Sequence, residues 1–182
     1  MKEWTEEEIR DKNLMGPCGL FCGACGVYIA TRDGNEKLKT VMGKTYGSQP
    51  EETECLGCMQ TDSSKHYGFC ADCAIRDCAK SKGYYSCHQC EEFPCETIES
   101  FPLGPARKIM KDSISKWRDK VAEHGDEKGS IEWARQECER YRCSCGEPHL
   151  RGQISCGACG QTVTDGGWVT SEGTEVELDR PF

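Results

Sequence analysis

Two cysteines separated by two residues place both thiolates on one side of a tight turn, where both sulfurs can reach one metal ion. Sixteen cysteines in 182 residues, most of them in such pairs, point to a chain that folds around metals. The most regular group is C-terminal: Cys143-Ser-Cys145-Gly, ten residues, then Cys156-Gly-Ala-Cys159-Gly. A glycine after the last cysteine of each turn suits a knuckle whose backbone N–H groups curl toward sulfur, with positive φ. Four such thiolates predict one tetrahedral, closed and therefore structural zinc site, although the first pair is C-x-C rather than C-x2-C.

A second set is Cys55-x2-Cys58, eleven residues, then Cys70-x2-Cys73. A third is Cys78, Cys87-x2-Cys90 and Cys95. Each supplies four ligands, but exchange of ligands between the two sets satisfies the spacing equally well. The first set, Cys18-x3-Cys22-x2-Cys25, has only three. Its fourth ligand is expected to be His66, His88 or Cys138, which closes the site. An open coordination position, as in catalytic zinc, is the sharper alternative. No general base accompanies the triplet, so the closed site is preferred.

The same triplet has the spacing of radical-SAM enzymes, yet Ala24 stands where those carry an aromatic residue, and no strand–helix alternation follows. Cys22-Gly-Ala-Cys25 also has the form of a thioredoxin redox pair, but no apolar strand precedes it and Cys18 crowds it. The chain contains no Gly-rich phosphate loop, G-x-S-x-G or H-E-x-x-H.

The totals agree with a metal scaffold. Apolar residues make up 36% with the cysteines included, and charged residues 30%, so an ordinary core would be thin. Structural zinc supplies roughly 10–16 kcal/mol of apparent binding energy in finger peptides. The net charge is −8, and each zinc held by four thiolates adds about −2 more. Phosphate backbones need an excess of Lys and Arg, so nucleic acid is not an expected ligand. The acidic start, MKEWTEEEIRDKNLM, has no signal-peptide core. Cytoplasmic location is expected, where thiols stay reduced and disulfides are disfavoured.

The elements that must position the thiols can be read coarsely. Residues 1–16 form an arm or short helix, with Thr5 and Glu8 as a capping box. Residues 17–101 form a cysteine-rich module with short helices at 24–31, 35–46, 71–80 and 94–101, and a polar loop at 60–67. Residues 102–142 read as a helical hairpin. Its first helix carries Met110, Ile114, Trp117 and Val121 on one stripe and stops at Gly125. Ser130 is expected to cap the second, which carries Ile131, Ala134, Cys138 and Tyr141. Residues 143–182 form the zinc-ribbon-like module with a β tail at 167–169 and 174–178. The fold class is thus a small metal-stabilised α+β protein. Trp4, Trp117, Trp133 and Trp168 are expected to bury area. Arg107, Lys108, Lys111, Lys116, Arg118 and Lys120 are expected to form a solvated basic face, and His124 and His149 to lie exposed.

The run Cys18-Gly-Leu-Phe-Cys22-Gly-Ala-Cys25-Gly-Val-Tyr28-Ile-Ala resembles the opening of the cysteine-rich family known as domain of unknown function 3795. Cys55-Leu-Gly-Cys58, Cys73-Ala-Ile-Arg-Asp-Cys78-Ala and Cys87-x2-Cys90-Glu-Glu-Phe-Pro-Cys95 extend the resemblance over about residues 16–101. It implies a small zinc-binding protein from bacteria or archaea, many of them anaerobes, and no established reaction. The C-terminal group looks like an added module.

The leading functional reading is a cytoplasmic protein holding about four Zn2+ ions, acting as a protein-interaction module or accessory subunit of an enzyme complex, without catalysis of its own and without a membrane. The alternative is an iron–sulfur protein with a [4Fe–4S] cluster in part of the sites, carrying electrons or serving an anaerobic redox enzyme. Cys87-x2-Cys90-x3-Pro94-Cys95 carries that reading, with proline beside a ligand. An enzyme with open zinc at Cys18, Cys22 and Cys25 comes third.

Overall fold

The computed structural model describes residues 1–163. Over these the chain is mostly helical, and its extended pairing consists of three isolated antiparallel bridges, Met15 with Phe21, Arg142 with Pro148 and Ser155 with Thr162. The α+β class is not borne out among the described residues, because the cysteine turns take the place of strands. The β tail expected at 167–169 and 174–178 lies outside them, as does Trp168.

Helix α1 (Glu6–Arg10) opens with the expected capping box: the Glu8 N–H donates to Thr5 Oγ1 at 3.2 Å and the Thr5 N–H to Glu8 Oε2 at 2.8 Å. It is short, five residues, and gives way to a 3-10 turn over Lys12–Leu14. Helices α2 (Gly26–Asp33) and α3 (Glu36–Tyr46) follow, the second capped by Asn35, whose Oδ1 accepts from the Leu38 N–H at 3.0 Å.

The helix expected over 71–80 starts three residues later, as α5 (Ala74–Ser81), and a separate helical turn, α4 (Gly68–Ala71), precedes it. The buried Arg76 guanidinium donates to the carbonyl oxygens of Cys70, at 2.8 Å, and of Ala71. Those acceptors would otherwise take the next intrahelical N–H groups, so Arg76 caps one helix while belonging to the other. The polar loop 60–67 is also well tied: Leu56 N–H donates to the Lys65 carbonyl, and both His66 and Tyr67 are buried.

After the short α6 (Glu96–Glu99) comes the hairpin, α7 (Gly104–His124) and α8 (Asp126–Arg140), with the turn at Gly125. Met110, Ile114 and Trp117 of the predicted stripe are fully buried, and Val121 packs at their edge. The rings of Trp117 and Trp133 stack at 3.7 Å and 7°. Each indole N–H donates to a serine of the opposite helix, Trp117 to Ser130 at 2.8 Å and Trp133 to Ser113 at 3.1 Å. Ser130 is therefore an interior acceptor and not the cap. Helix α8 begins four residues earlier, and Ser130 returns its own hydrogen to the Asp126 carbonyl at 2.6 Å.

The basic face of α7 is largely structural. Arg118 donates to the carbonyls of His88, at 3.0 Å, and Cys90. Lys111 pairs with Glu99 at 3.1 Å and Lys120 with Glu123 at 2.7 Å. His124 is exposed as expected, but His149 is buried edge-on against Tyr141, its N–H bonded to the Tyr141 carbonyl at 2.9 Å. No described helix is long and apolar enough to cross a membrane.

Candidate metal centre

The C-terminal cysteines come together as the sequence predicts. Two turns face each other. In the first, the Gly146 N–H donates to the Cys143 carbonyl and the Cys143 N–H to the Glu147 carbonyl, both at 2.8 Å. In the second, the Gly160 N–H donates to the Cys156 carbonyl at 2.9 Å and the Cys156 N–H to the Gln161 carbonyl at 2.8 Å. Gly146 and Gly160 hold φ of 90° and 73°, the left-handed region that favours glycine. Cys143, Cys145, Cys156 and Cys159 thereby place their sulfurs within 4.8 Å of one another. Sγ of Cys143 and Cys159 are 3.6 Å apart, and those of Cys145 and Cys156 are 3.7 Å apart. A zinc–sulfur bond of about 2.3 Å in a tetrahedron sets sulfurs roughly 3.8 Å apart. The four thiols fit one ion of that size.

Their charges are coupled. The Cys145 N–H, together with neighbouring thiols, holds Cys143 down to about 7, while Cys145 is pushed up to about 12, against the backbone bond near Glu147, by Cys159 and Cys143. Cys159 is raised as well, its neighbours Cys143 and Cys156 outweighing the backbone bond near Gln161. A bound cation would relieve this mutual repulsion, since thiolates and not thiols are the ligands.

All sixteen cysteines are free thiols. In the cysteine-rich module the first and second sets meet. The Cys58 N–H points at Cys22 Sγ at 3.3 Å, the Met59 N–H donates to the Asn13 carbonyl at 3.2 Å, and the Cys55 N–H to Thr31 Oγ1 at 3.0 Å. Cys22, Cys25, Cys55, Cys58 and Cys70 therefore share one neighbourhood, and each acts on the charge of at least one other. Hydrogen bonding from Cys22, against burial, holds Cys58 down to about 7 with the help of Arg76, while the same bond pushes Cys22 up. Cys18 is pushed up by burial and by Cys58, Cys73 and Cys87. It lies between this group and the third set, on a turn pinched by the Met15–Phe21 bridge. Gly19 at its tip has φ of 85° and packs so tightly on α7 that a Cβ would meet Ile114 at 3.1 Å.

The third set surrounds a cavity of about 330 Å³, lined by Cys78, Cys87, Cys90 and Cys95 among others. The Cys87 N–H donates to the Pro17 carbonyl at 2.8 Å, which joins this set to the Cys18 turn. The two histidines considered as ligands are both buried. His66 Nε2 bonds the Cys58 carbonyl at 3.1 Å, and its Nδ1 has no partner among the described residues. His88 turns into the hairpin, where it stacks on Trp117 at 4.6 Å and bonds Asp126 at 2.8 Å. Cys138 is half-buried on α8 beside the main core.

Sequence reasoning missed the cations. Arg76 is buried and Arg151 half-buried beside the joined first and second sets. Arg151 donates to the Phe21 carbonyl and its N–H to the Ala24 carbonyl at 2.8 Å. Nearby Cys25 and Cys22 help to hold it charged despite its burial. Lys82 lies 3.8 Å from Cys90 Sγ. A single arginine or lysine among cysteines carries no sign in the sequence of where it points.

Residues 14–100 match the family described as Protein of unknown function (DUF3795). The resemblance read from Cys18 to Cys95 holds over that segment, which takes in the first three cysteine sets. The C-terminal quartet lies outside the DUF3795 match, consistent with an added module. No curated protein and no solved structure matches the chain.

Proposed function

We propose that this chain is a cytoplasmic multi-zinc-binding protein that serves as an interaction module or accessory subunit and performs no chemistry of its own. The observation that carries the reading is the quartet Cys143, Cys145, Cys156 and Cys159, whose sulfurs already stand at the spacing of a closed ZnS4 site. A zinc with four protein ligands keeps no position for substrate. It ties residues 143–163 into a ribbon-like pair of knuckles that docks through Arg151. Further zinc ions among Cys18, Cys22, Cys25, Cys55, Cys58, Cys70 and Cys73 would fix the turns of the DUF3795 segment, with Arg76 and Arg151 offsetting their negative charge.

A partner protein is supported by exposed apolar side chains on α3 and α4. Phe69 is 57% exposed and lies 6.0 Å from Tyr46, itself 39% exposed. Large aromatic side chains left in water on adjoining elements mark a contact surface.

Chelation tests the scaffold role. Zinc-loaded protein treated anaerobically with a strong chelator should lose most of its α-helical circular dichroism and regain it when zinc is restored. Undiminished helix in metal-free protein would contradict the reading, as would a defined turnover by the isolated chain.

A further inference from the structure

The C-terminal quartet and the third cysteine set differ in shape. The quartet converges on a point. Cys78, Cys87, Cys90 and Cys95 instead face one cavity of about 330 Å³. Among the described residues, mutual approach within 4.8 Å by three or more potential ligand atoms is found at the quartet, and neither at this cavity nor in the first two sets. What sets the third set apart is the cavity, since four thiols around a space of that size have room for a multi-atom guest.

From this geometry we infer that Cys78, Cys87, Cys90 and Cys95 bind a [4Fe–4S] cluster. In a cubane each thiolate binds a different iron, so the four sulfurs stand further apart than around one zinc ion. Cys87-x2-Cys90-x4-Cys95, with Cys78 nine residues before it, supplies four thiolates from one short stretch of chain, enough for the four irons of a cubane. The cavity walls include the buried Ile75, Ala79 and Ile98 on the inner side, with the exposed Lys82, Glu92 and Glu96 at its mouth.

The surroundings suit its charge. Four thiolates around an oxidised cubane carry a net negative charge. Lys82 stands at the rim, its Nζ 3.8 Å from Cys90 Sγ and 2.6 Å from Glu92. The Cys87–Cys90 turn is fixed from the far side by Arg118, which donates to the carbonyls of His88 and Cys90. Two ligands are thus held by α7 before any cluster arrives. The inference does not depend on the zinc reading of the C-terminal quartet.

Anaerobic reconstitution of the full chain with ferrous iron and sulfide tests it. The wild type should take up about four irons and four sulfides per chain, turn brown, and give a paramagnetic reduced state with dithionite. The double variant Cys87→Ser/Cys95→Ser should lose that iron and keep the zinc of the quartet, whereas Cys156→Ser should lose zinc and keep the iron. Iron and sulfide at background in the wild type would overturn the assignment, and so would iron retained in the double variant. Should the double variant fail to fold, Lys82→Ala decides. It leaves every ligand in place and should lower the midpoint potential by removing a positive charge beside Cys90. An unchanged potential would place the cluster elsewhere and overturn the inference.

Discussion

Replacing Ser130 by alanine should unseat the centre of the hairpin. Ser130 is 1% exposed and accepts the indole N–H of Trp117, which is itself fully buried, at 2.8 Å. The Tyr85 hydroxyl shares a 2.5 Å hydrogen bond with the same oxygen. Alanine leaves the indole donor in a dry site without a partner, and an orphaned buried donor costs about 1–3 kcal/mol. Tyr85 retains Asp126 at 3.3 Å, so its loss adds little. We expect about 2 kcal/mol in total, which for a chain of this size is a fall of roughly 4–8 °C in Tm. Thermal and urea unfolding, both at fixed zinc excess, would measure it. A double-mutant cycle with Trp117→Phe isolates the cause, because phenylalanine has no donor to orphan. In that background Ser130→Ala should cost at least about 1 kcal/mol less than in the wild type. A loss below about 0.5 kcal/mol, or strictly additive losses, would refute the argument.

Other residues make further predictions. Glu137 is buried, with one carboxylate oxygen 3.3 Å from Arg140 and the other without a partner. Burial raises its pKa above the ordinary carboxylate value. A carboxyl raised in the folded state stabilises at low pH and loses that contribution as pH rises through its folded pKa. Stability of Glu137→Gln should therefore gain on the wild type as pH increases from about 4 to 8, and parallel pH–stability curves would contradict this. Arg151→Leu should cost about 1–3 kcal/mol by orphaning the buried Phe21 carbonyl, and should make residues 143–163 more sensitive to protease; equal digestion of variant and wild type would show that Arg151 does not dock the knuckles. Replacing Gly146 with alanine should weaken zinc retention at the quartet in a chelator competition, since its φ of 90° strains any residue with a Cβ. Equal retention would show that the knuckle tolerates the strain.

What the sequence revealed was mostly local. Thr5 and Glu8 are three residues apart, and their reciprocal cap follows from that spacing alone. The stripe from Met110 to Trp117 and the stop at Gly125 are equally local, and so are the two knuckles with Gly146 and Gly160. Features that depend on a distant partner were not legible. Ser130 has the type of a cap, yet Trp117 across the hairpin makes it an interior acceptor. His149 has a polar surrounding sequence, yet Tyr141 covers it. The break at Asp72–Cys73 is set by Arg76 reaching back to two carbonyls, which no propensity encodes. The meeting of the first and second cysteine sets was not anticipated from spacing, which left open only an exchange between the second and third, because the backbone bonds that join the first two, Met59 to Asn13 and Cys55 to Thr31, span tens of residues.

The central claim is that the C-terminal thiols hold one zinc. Native mass spectrometry of the anaerobically prepared chain, with zinc-edge X-ray absorption, measures it most directly. The account predicts that Cys156→Ser carries one zinc fewer than the wild type, and that the lost ion had four sulfur neighbours at about 2.3 Å. An unchanged zinc content in Cys156→Ser would contradict it.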